Sequence, residues 1–267
     1  MTPFDVTVVV CAKNEQARLC ACLDSLQGQG AAEIIVIDGN SADLTAIVAA
    51  THGARVYVSR SGSLPVDRQF GADLALTPLV AFIDADHRLE AGDLARMVDD
   101  LERTGFDVCQ SGLRIAGDSW WNRAESEFLN LTHNVPGEKH MVGVAPTIFR
   151  GEVLDTVRFA TEGSIDDTDY FYRLHRDTDY RMGIGSLTIA QAHEGSWKSY
   201  RRKFAWYGAG DGQFCRTHPE RRASMWFHLL IRYPLVYPWR ALAARKPRAA
   251  IYAVAQGLVR FRALISS

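Results

Sequence analysis

The chain has 267 residues, 47% hydrophobic and 23% charged, which suits one large α/β domain with an appendage and argues against a disordered chain. Its 30 Lys/Arg against 31 Asp/Glu give a net charge of −1, so the molecule as a whole is not built to bind a polyanion, and no nucleic acid partner is expected. No run of about 18 uninterrupted apolar residues occurs, so no membrane-spanning helix is expected, and the start, Met1 to Val10, lacks the basic and apolar regions of a signal peptide.

Residues Val6–Cys11 form a nearly continuous β-branched run, the pattern of a strand buried on both faces. Asn14 offers an N-cap to a helix carrying Leu19, Cys22, Leu23 and Leu26. Glu33–Asp38 reads as a second strand, and Ser41 as the cap of a helix carrying Leu44, Ile47 and Val48. Arg55–Val58 is a third strand, Asp67–Ala75 a short helix, and Leu79–Ile83 a fourth strand running into Asp84-Ala85-Asp86. Leu94, Met97, Val98 and Leu101 mark the next helix, and Phe106–Ile115 another strand. Trp120, Trp121, Phe128 and Leu129 then suggest an aromatic helix, Asn134–His140 a loop and Val142–Phe149 a strand. A helix over Tyr170–His175, a strand over Leu187–Ala190 and an amphipathic helix over Ala249–Ile265 follow. Strands alternating with helices imply right-handed βαβ units and a mainly parallel central sheet flanked by helices. Ligands of such sheets bind at the carboxyl ends of the strands, where Asp38 and Asp84 fall.

Five cysteines at scattered spacing, Cys11, Cys20, Cys22, Cys109 and Cys215, make no disulfide framework. They read as small buried apolar residues in a reducing, cytoplasmic setting.

Asp84 and Asp86, two apart on an extended segment, point the same way and suit a hard divalent cation that neutralises a diphosphate. The same spacing recurs at Asp167/Asp169 and Asp177/Asp179, but only the first pair follows a buried strand. Asp166-Asp167-Thr168-Asp169 precedes a helix. Its carboxylates either cap the helix dipole or supply a general base for an acceptor hydroxyl. His193, followed by Glu194-Gly195-Ser196, sits at a loop edge, as a structural residue or as a metal ligand.

Together these blocks resemble family 2 glycosyltransferases of the GT-A fold. The resemblance rests on Val8–Glu15 (VVVCAKNE), Glu33–Thr45 (EIIVIDGNSADLT), Leu79–His87 (LVAFIDADH), Ile165–Leu174 (IDDTDYFYRL) and Arg201–Gly210 (RRKFAWYGAG), in that order, from about Thr7 to Gly212. It implies an enzyme that transfers one sugar from a nucleotide-diphosphate donor, UDP-sugar favoured, with inversion and with Mg²⁺ or Mn²⁺. Ala12 and Glu15 would line the nucleotide pocket, Asp38 would accept from the base, and Arg68 would lie near the donor phosphates. Asp84 would contact ribose and metal, Asp86 would be the principal metal ligand, and His193 would help bind metal or diphosphate. Asp167 would be the base. Because Asp166 replaces the family's usual Glu, Asp166 is the alternative base. Cys11-Ala12 stands where a Pro-containing turn is common, and His87 replaces a frequent third acid. The Gln-x-x-Arg-Trp block of processive synthases is missing, so a non-processive enzyme is expected.

Arg201, Arg202 and Lys203 are either a solvated face or contacts to a diphosphate or acceptor. From Arg216 onward there are ten Lys/Arg and one acid, Glu220, interleaved with Trp226, Phe227, Tyr233, Tyr237 and Trp239. That chemistry suits the surface of an anionic membrane, which points to a peripheral position on the inner face of the cell membrane and a lipid-linked acceptor. A helical pair packed on the catalytic domain or on a second copy is the alternative. The expected division is a GT-A catalytic domain over 1–215 and a helical C-terminal extension over 216–267. Two rivals stand beside this reading. A nucleotidyltransferase on a similar sheet would carry a Gly-rich basic loop where this chain has Ala12-Lys13-Asn14-Glu15. A catalytically degenerate, membrane-associated partner protein would have no need of Asp38, Asp84, Asp86 and Asp167 together.

Overall fold

The computed structural model describes residues 4–160 and 167–266. Two compact units form. The first takes the residues up to Leu113 together with Pro136–Gln191, and the second takes Arg114–Val135 with the stretch from Ala192 onward.

In the first unit, strands β1 (Phe4–Ala12), β2 (Ala31–Asp38), β3 (Arg55–Val58) and β4 (Leu79–Phe82) lie in the order β3-β2-β1-β4, all parallel. The sheet continues through β5 (His87–Arg88), β6 (Val108–Ala116), β7 (Gly137–Lys139), β8 (Thr147–Arg150) and β9 (Met182–Ala192). Here β8 runs antiparallel to both β4 and β6, and β9 antiparallel to β5 and β7. The α/β class is the expected one, and its sheet is mixed, parallel through β4 and largely antiparallel beyond it.

The central strand explains the architecture. Val6, Val8, Val9 and Val10 of β1 have no exposed surface. Alternate side chains leave opposite faces, so Val8 and Val10 enter one apolar cluster and Val9 the other. Each such burial is worth roughly 1.5–3 kcal/mol as an upper bound. The first cluster gathers Leu19, Leu23 and Leu26 of α1 (Gln16–Leu26), Ala49 of α2 (Thr45–Thr51), and Leu94, Met97 and Leu101 of α4 (Asp93–Thr104). A left-handed Gly105, φ 64°, ends α4, as a residue without Cβ does at little cost. The second cluster takes Val153 and Leu154 of α6 (Gly151–Thr156) and Tyr170, Phe171 and Leu174 of α7 (Asp167–Asp177). The helix α5 (Trp120–Thr132) belongs to the second unit.

Helix α3 (Leu64–Leu74) buries three consecutive polar or charged residues, Asp67, Arg68 and Gln69. A Cβ added at Gly71 would stand 2.4 Å from Val9 Cγ1, so the missing side chain sets how closely α3 approaches β1. Gln69 then accepts from the Phe159 amide at 2.8 Å and donates to Asp73 at 2.9 Å.

The second unit comprises α5, α8 (Trp197–Thr217), α9 (Arg222–Phe227), a π-helical segment over His228–Val236, α10 (Tyr237–Ala243) and α11 (Pro247–Ser266). Gly208 lets α8 and α11 meet: a Cβ there would lie 2.2 Å from the Arg260 carbonyl. Two buried ionic groups hold the packing. Glu125 accepts from Lys203 at 2.7 Å, Tyr252 at 2.9 Å and Tyr200 at 2.6 Å. Asp211 accepts two hydrogen bonds from Arg260, at 2.9 and 2.7 Å, and Arg260 also donates to the Tyr233 hydroxyl at 2.8 Å. Burial opposes ionisation of Glu125, but Lys203 and the two tyrosine hydroxyls outweigh it and hold the carboxyl below its ordinary range.

Several expectations are corrected. The two compact units differ from the expected division at 215/216 in that α5 and α8 group with the C-terminal helices. Leu44 and Ile47 are exposed, whereas Thr45 and Ala49 are the buried residues of α2. Of the expected strand 142–149 only residues 147–149 are strand, within β8, and α11 is long and apolar enough to cross a membrane by length and composition, although Ala249, Tyr252, Ala253 and Gly257 are buried within the unit.

Candidate functional site

The parallel register brings the expected residues to one rim of the first unit. Asp38 ends β2 and pairs in register with Ala12 at the end of β1. The Ala12 carbonyl accepts from the Gly39 amide at 2.8 Å. Across β1, strand β4 delivers Asp84 just past its end.

Asp38 is buried at 3% exposure, and Ser41 satisfies it twice, through its hydroxyl at 2.5 Å and its amide at 3.1 Å. Ser41 is therefore committed to Asp38 rather than capping α2. The Ser41 hydroxyl also accepts from the Asn14 amide at 2.8 Å, and Asn14 Oδ1 accepts from the Ala42 amide at 2.8 Å. Asn14 and Asn40 adopt φ 55° and 59°, a region Asn tolerates better than most residues. The loops after β1 and β2 thus form one hydrogen-bonded rim, to which the Glu15 amide adds a hydrogen bond donated to Thr45 Oγ1 at 3.0 Å. Burial raises the Glu15 carboxyl above its ordinary value, and the Asp86 and Asp43 charges act in the same direction against Arg18.

Arg68 is the hinge of the arrangement. Its side chain is 6% exposed, and its guanidinium reaches Asp84 Oδ1 at 3.2 Å and Asp167 Oδ1 at 3.1 Å. One buried fork fixes two carboxylates that are 83 positions apart in the chain by their numbers. Behind Asp167, a Cβ on Gly143 would lie 3.6 Å from Asp167 Oδ2, and the Gly143 amide donates to Gln110 at 2.8 Å. Asp166 lies outside the described residues.

Asp84, Asp86 and His87 offer ligand atoms within 4.8 Å of one another. Two carboxylates are the hard oxygen donors that Mg²⁺ or Mn²⁺ takes, so the residues fit such an ion. The imidazole has a different part. His87 Nδ1 accepts from the Asp84 amide at 3.1 Å, which puts the proton of the neutral ring on Nε2, 3.8 Å from Asp86 Oδ1. His87 is thus a buried donor facing Asp86 rather than a ligand. Gln191, in register opposite His87, donates to Asp86 Oδ2 at 3.1 Å. Cys22 donates to the Asp84 carbonyl at 3.5 Å, and burial pushes its thiol up to about 12. Sequence reasoning gave no role to His87 or Gln191. Neither has a periodic or compositional signature, because their work depends on the β5–β9 pairing.

His193 and the basic run belong to the second unit. The Gly195 amide donates to His193 Nδ1 at 3.2 Å, so in this arrangement the neutral ring carries its proton on Nε2. Lys203 departs from the expected diphosphate contact, since its charge is spent on buried Glu125. Arg201 is exposed, and Arg202 is 74% exposed beside Glu194 at 3.9 Å.

The sequence profile described as glycosyl transferase family 2 matches residues 7–156, more than half of the chain and the whole β1–β4 rim. The chain belongs to glycosyl transferase family 2. Among its relatives in that family is an uncharacterized glycosyltransferase of Mycobacterium tuberculosis (strain ATCC 25618 / H37Rv), 40% identical over 116 residues, 43% of this chain and 52% of that protein. Glycosyltransferase AglJ of Haloferax volcanii is 34% identical over 107 residues, 40% of this chain and 35% of that one. The chain therefore aligns with about half, or less, of the length of these relatives. In three dimensions it is similar to S. aureus TarS residues 1–349, with a TM-score of 0.57 at 15% identity, covering 100% of this chain and 91% of that one. That likeness shows the family's GT-A fold.

Proposed function

We propose that this family 2 protein is a glycosyltransferase that moves one sugar from a nucleoside diphosphate sugar to a hydroxyl acceptor, with inversion and without processive extension. The observation that carries the reading is the Arg68 fork joining Asp84 to Asp167 on the rim that also holds Asp38. In this reading Asp38 receives the nucleobase, the Ala12–Glu15 loop lines the nucleotide, and Arg68 faces the donor phosphates while fixing both carboxylates. Asp167, half-exposed and anchored by that fork, takes the proton of the acceptor hydroxyl as it attacks the sugar. Asp84 and Asp86 are the residues that would hold Mg²⁺ or Mn²⁺. When bound, the ion supplies positive charge to a departing diphosphate. Gln191 holds the Asp86 carboxylate in place for that task. Structures of TarS in complex with UDP and with UDP-GlcNAc support UDP-sugar as the first donor to try. A thermal-shift panel of UDP-, GDP- and dTDP-sugars with Mn²⁺, followed by an assay for nucleoside diphosphate release with and without chelator, tests the reading. It predicts stabilisation by one donor class and metal-dependent release. No stabilisation by any donor together with no release would contradict it.

The second unit favours a membrane-facing acceptor. Trp226, Phe227, Leu235 and Leu242 are exposed and Trp239 is 71% exposed, on a segment that also carries Arg232, Arg240, Arg245 and Lys246. Apolar side chains among arginines suit the boundary of an anionic bilayer on its cytoplasmic side. Flotation with phosphatidylglycerol vesicles at low salt is expected to carry the protein upward. A wholly soluble fraction would remove the lipid-linked acceptor from the proposal.

A further inference from the structure

Away from the rim, Cys20, Asp24 and His52 bring their ligand atoms together within 4.8 Å of one another. Cys20 and Asp24 are four apart on α1, so they stack on one helix face, and His52 is the C-cap of α2. Cys20 Sγ lies 3.7 Å from His52 Nε2, Asp24 Oδ1 lies 3.2 Å from the same nitrogen, and Asp24 Oδ2 lies 3.9 Å from the sulfur. Metal–sulfur bonds of about 2.3 Å and metal–nitrogen or –oxygen bonds of about 2.0–2.2 Å at tetrahedral angles need edges of about 3.3–3.6 Å. The 3.7 Å sulfur–nitrogen edge is close to that range, and Asp24 meets the imidazole through Oδ1 and the sulfur through Oδ2, so a small turn of its carboxylate brings one oxygen toward both.

The rest of the imidazole points the same way. His52 Nδ1 donates to the Val48 carbonyl at 2.7 Å, which leaves the Nε2 lone pair of the neutral ring facing the thiol and the carboxylate. A backbone carbonyl on the distal nitrogen is the usual support of a metal-bound histidine. A nucleophilic Cys–His–Asp relay would instead set the acid on the nitrogen remote from the sulfur. Here acid and sulfur share one nitrogen. The Gln27 side chain also donates to the His52 carbonyl at 3.2 Å, tying the cap to α1. The His52 side chain is 19% exposed and that of Asp24 66%, so solvent can reach the cluster and supply a fourth ligand.

We infer that Cys20, Asp24 and His52 form a binding site for a zinc-class divalent ion that clips α1 to α2. Thiolate and imidazole select zinc or cobalt, whereas Mg²⁺ and Mn²⁺ prefer the carboxylates of the rim. Binding converts the Cys20 thiol to a metal-bound thiolate and releases its proton to solvent. The site is independent of the catalytic reading, although the helices it joins begin at the two loops around Asp38.

Titration of the full chain with Co²⁺, followed by absorbance, is the test. The expected result is a thiolate-to-cobalt charge-transfer band, lost on addition of Zn²⁺. Cys20→Ser should abolish it and His52→Ala should weaken binding at least tenfold, while Asp86→Asn leaves the band intact. Zn²⁺ should raise the melting temperature of the parent chain and not that of Cys20→Ser. Absence of a charge-transfer band in the parent chain would overturn the inference and leave a His52–Asp24 ion pair. A band that survives Cys20→Ser would place the thiolate elsewhere and overturn it equally.

Discussion

Arg68 carries the largest share of the site's geometry. It is a buried cation between two carboxylates supplied by distant segments, at 3.2 and 3.1 Å. Arg68→Ala removes the common partner of Asp84 and Asp167 and leaves two carboxylates to repel each other. We expect kcat to fall by roughly two orders of magnitude, the scale of losing a preorganised electrostatic group. Arg68→Lys should recover only a small part, because an ammonium is a single point of charge and cannot span both acids as the fork does. Steady-state kinetics with circular dichroism as a folding control provide the check. Near-parental kcat in both variants would show that the fork is incidental. Asp38, Asp84, Asp86 and Asp167 were legible because each sits beside a strand end or a helix start that its neighbours announce. Arg68 came only from resemblance, and Gln191 and His87 not at all as partners of Asp86. The Gln191 contact is set by pairing between β5 and β9, which local sequence does not encode.

At the scale of elements, the rim depends on how near α3 lies to β1. Gly71→Ala would place a methyl group 2.4 Å from Val9 Cγ1, so the helix or the strand must shift. Overpacking of this kind costs about 1–3 kcal/mol. The shift also moves Arg68, three residues earlier on the same helix. A lowered melting temperature together with reduced kcat is expected. Loss of stability with kcat untouched would mean that α3 moves without carrying the fork. The parallel half of the sheet was readable because strands buried on both faces are unbroken apolar runs, as in β1. The antiparallel half was harder. The edges β5 and β7 are two and three residues long, too short for any periodicity, and residues 142–146 are apolar without being a strand. Helix α2 misled for a different reason. Its exposed Leu44 and Ile47 imitate a core face, while the buried face is carried by Thr45 and Ala49.

On the scale of the whole molecule, the second unit rests on buried charge as much as on apolar packing. Glu125 has a folded-state pKa below its unfolded value, so its contribution is complete at neutral pH. It is lost as pH falls below about 4 and through the depressed folded value. Glu125→Ala strands the Lys203 ammonium and should cost roughly 3–5 kcal/mol. In urea titrations between neutral and acidic pH, the variant should be less stable at pH 7 and show a shallower loss on acidification. Equal acid sensitivity in the two proteins would show that the network does not govern stability. The grouping of α5 with the C-terminal helices was not legible in the sequence, because α5 supplies Glu125 to Lys203 on α8 and to Tyr252 on α11, contacts between distant segments.

The proposed function requires that a metal held by Asp84 and Asp86 meet a nucleoside diphosphate at the rim. Equilibrium titration with UDP, with and without Mn²⁺, in the parent protein and in Asp86→Asn measures this directly. The parent should bind UDP more tightly with Mn²⁺, and the variant should bind at least tenfold more weakly with little response to the ion. Equal affinity and equal metal dependence in the two proteins would contradict it.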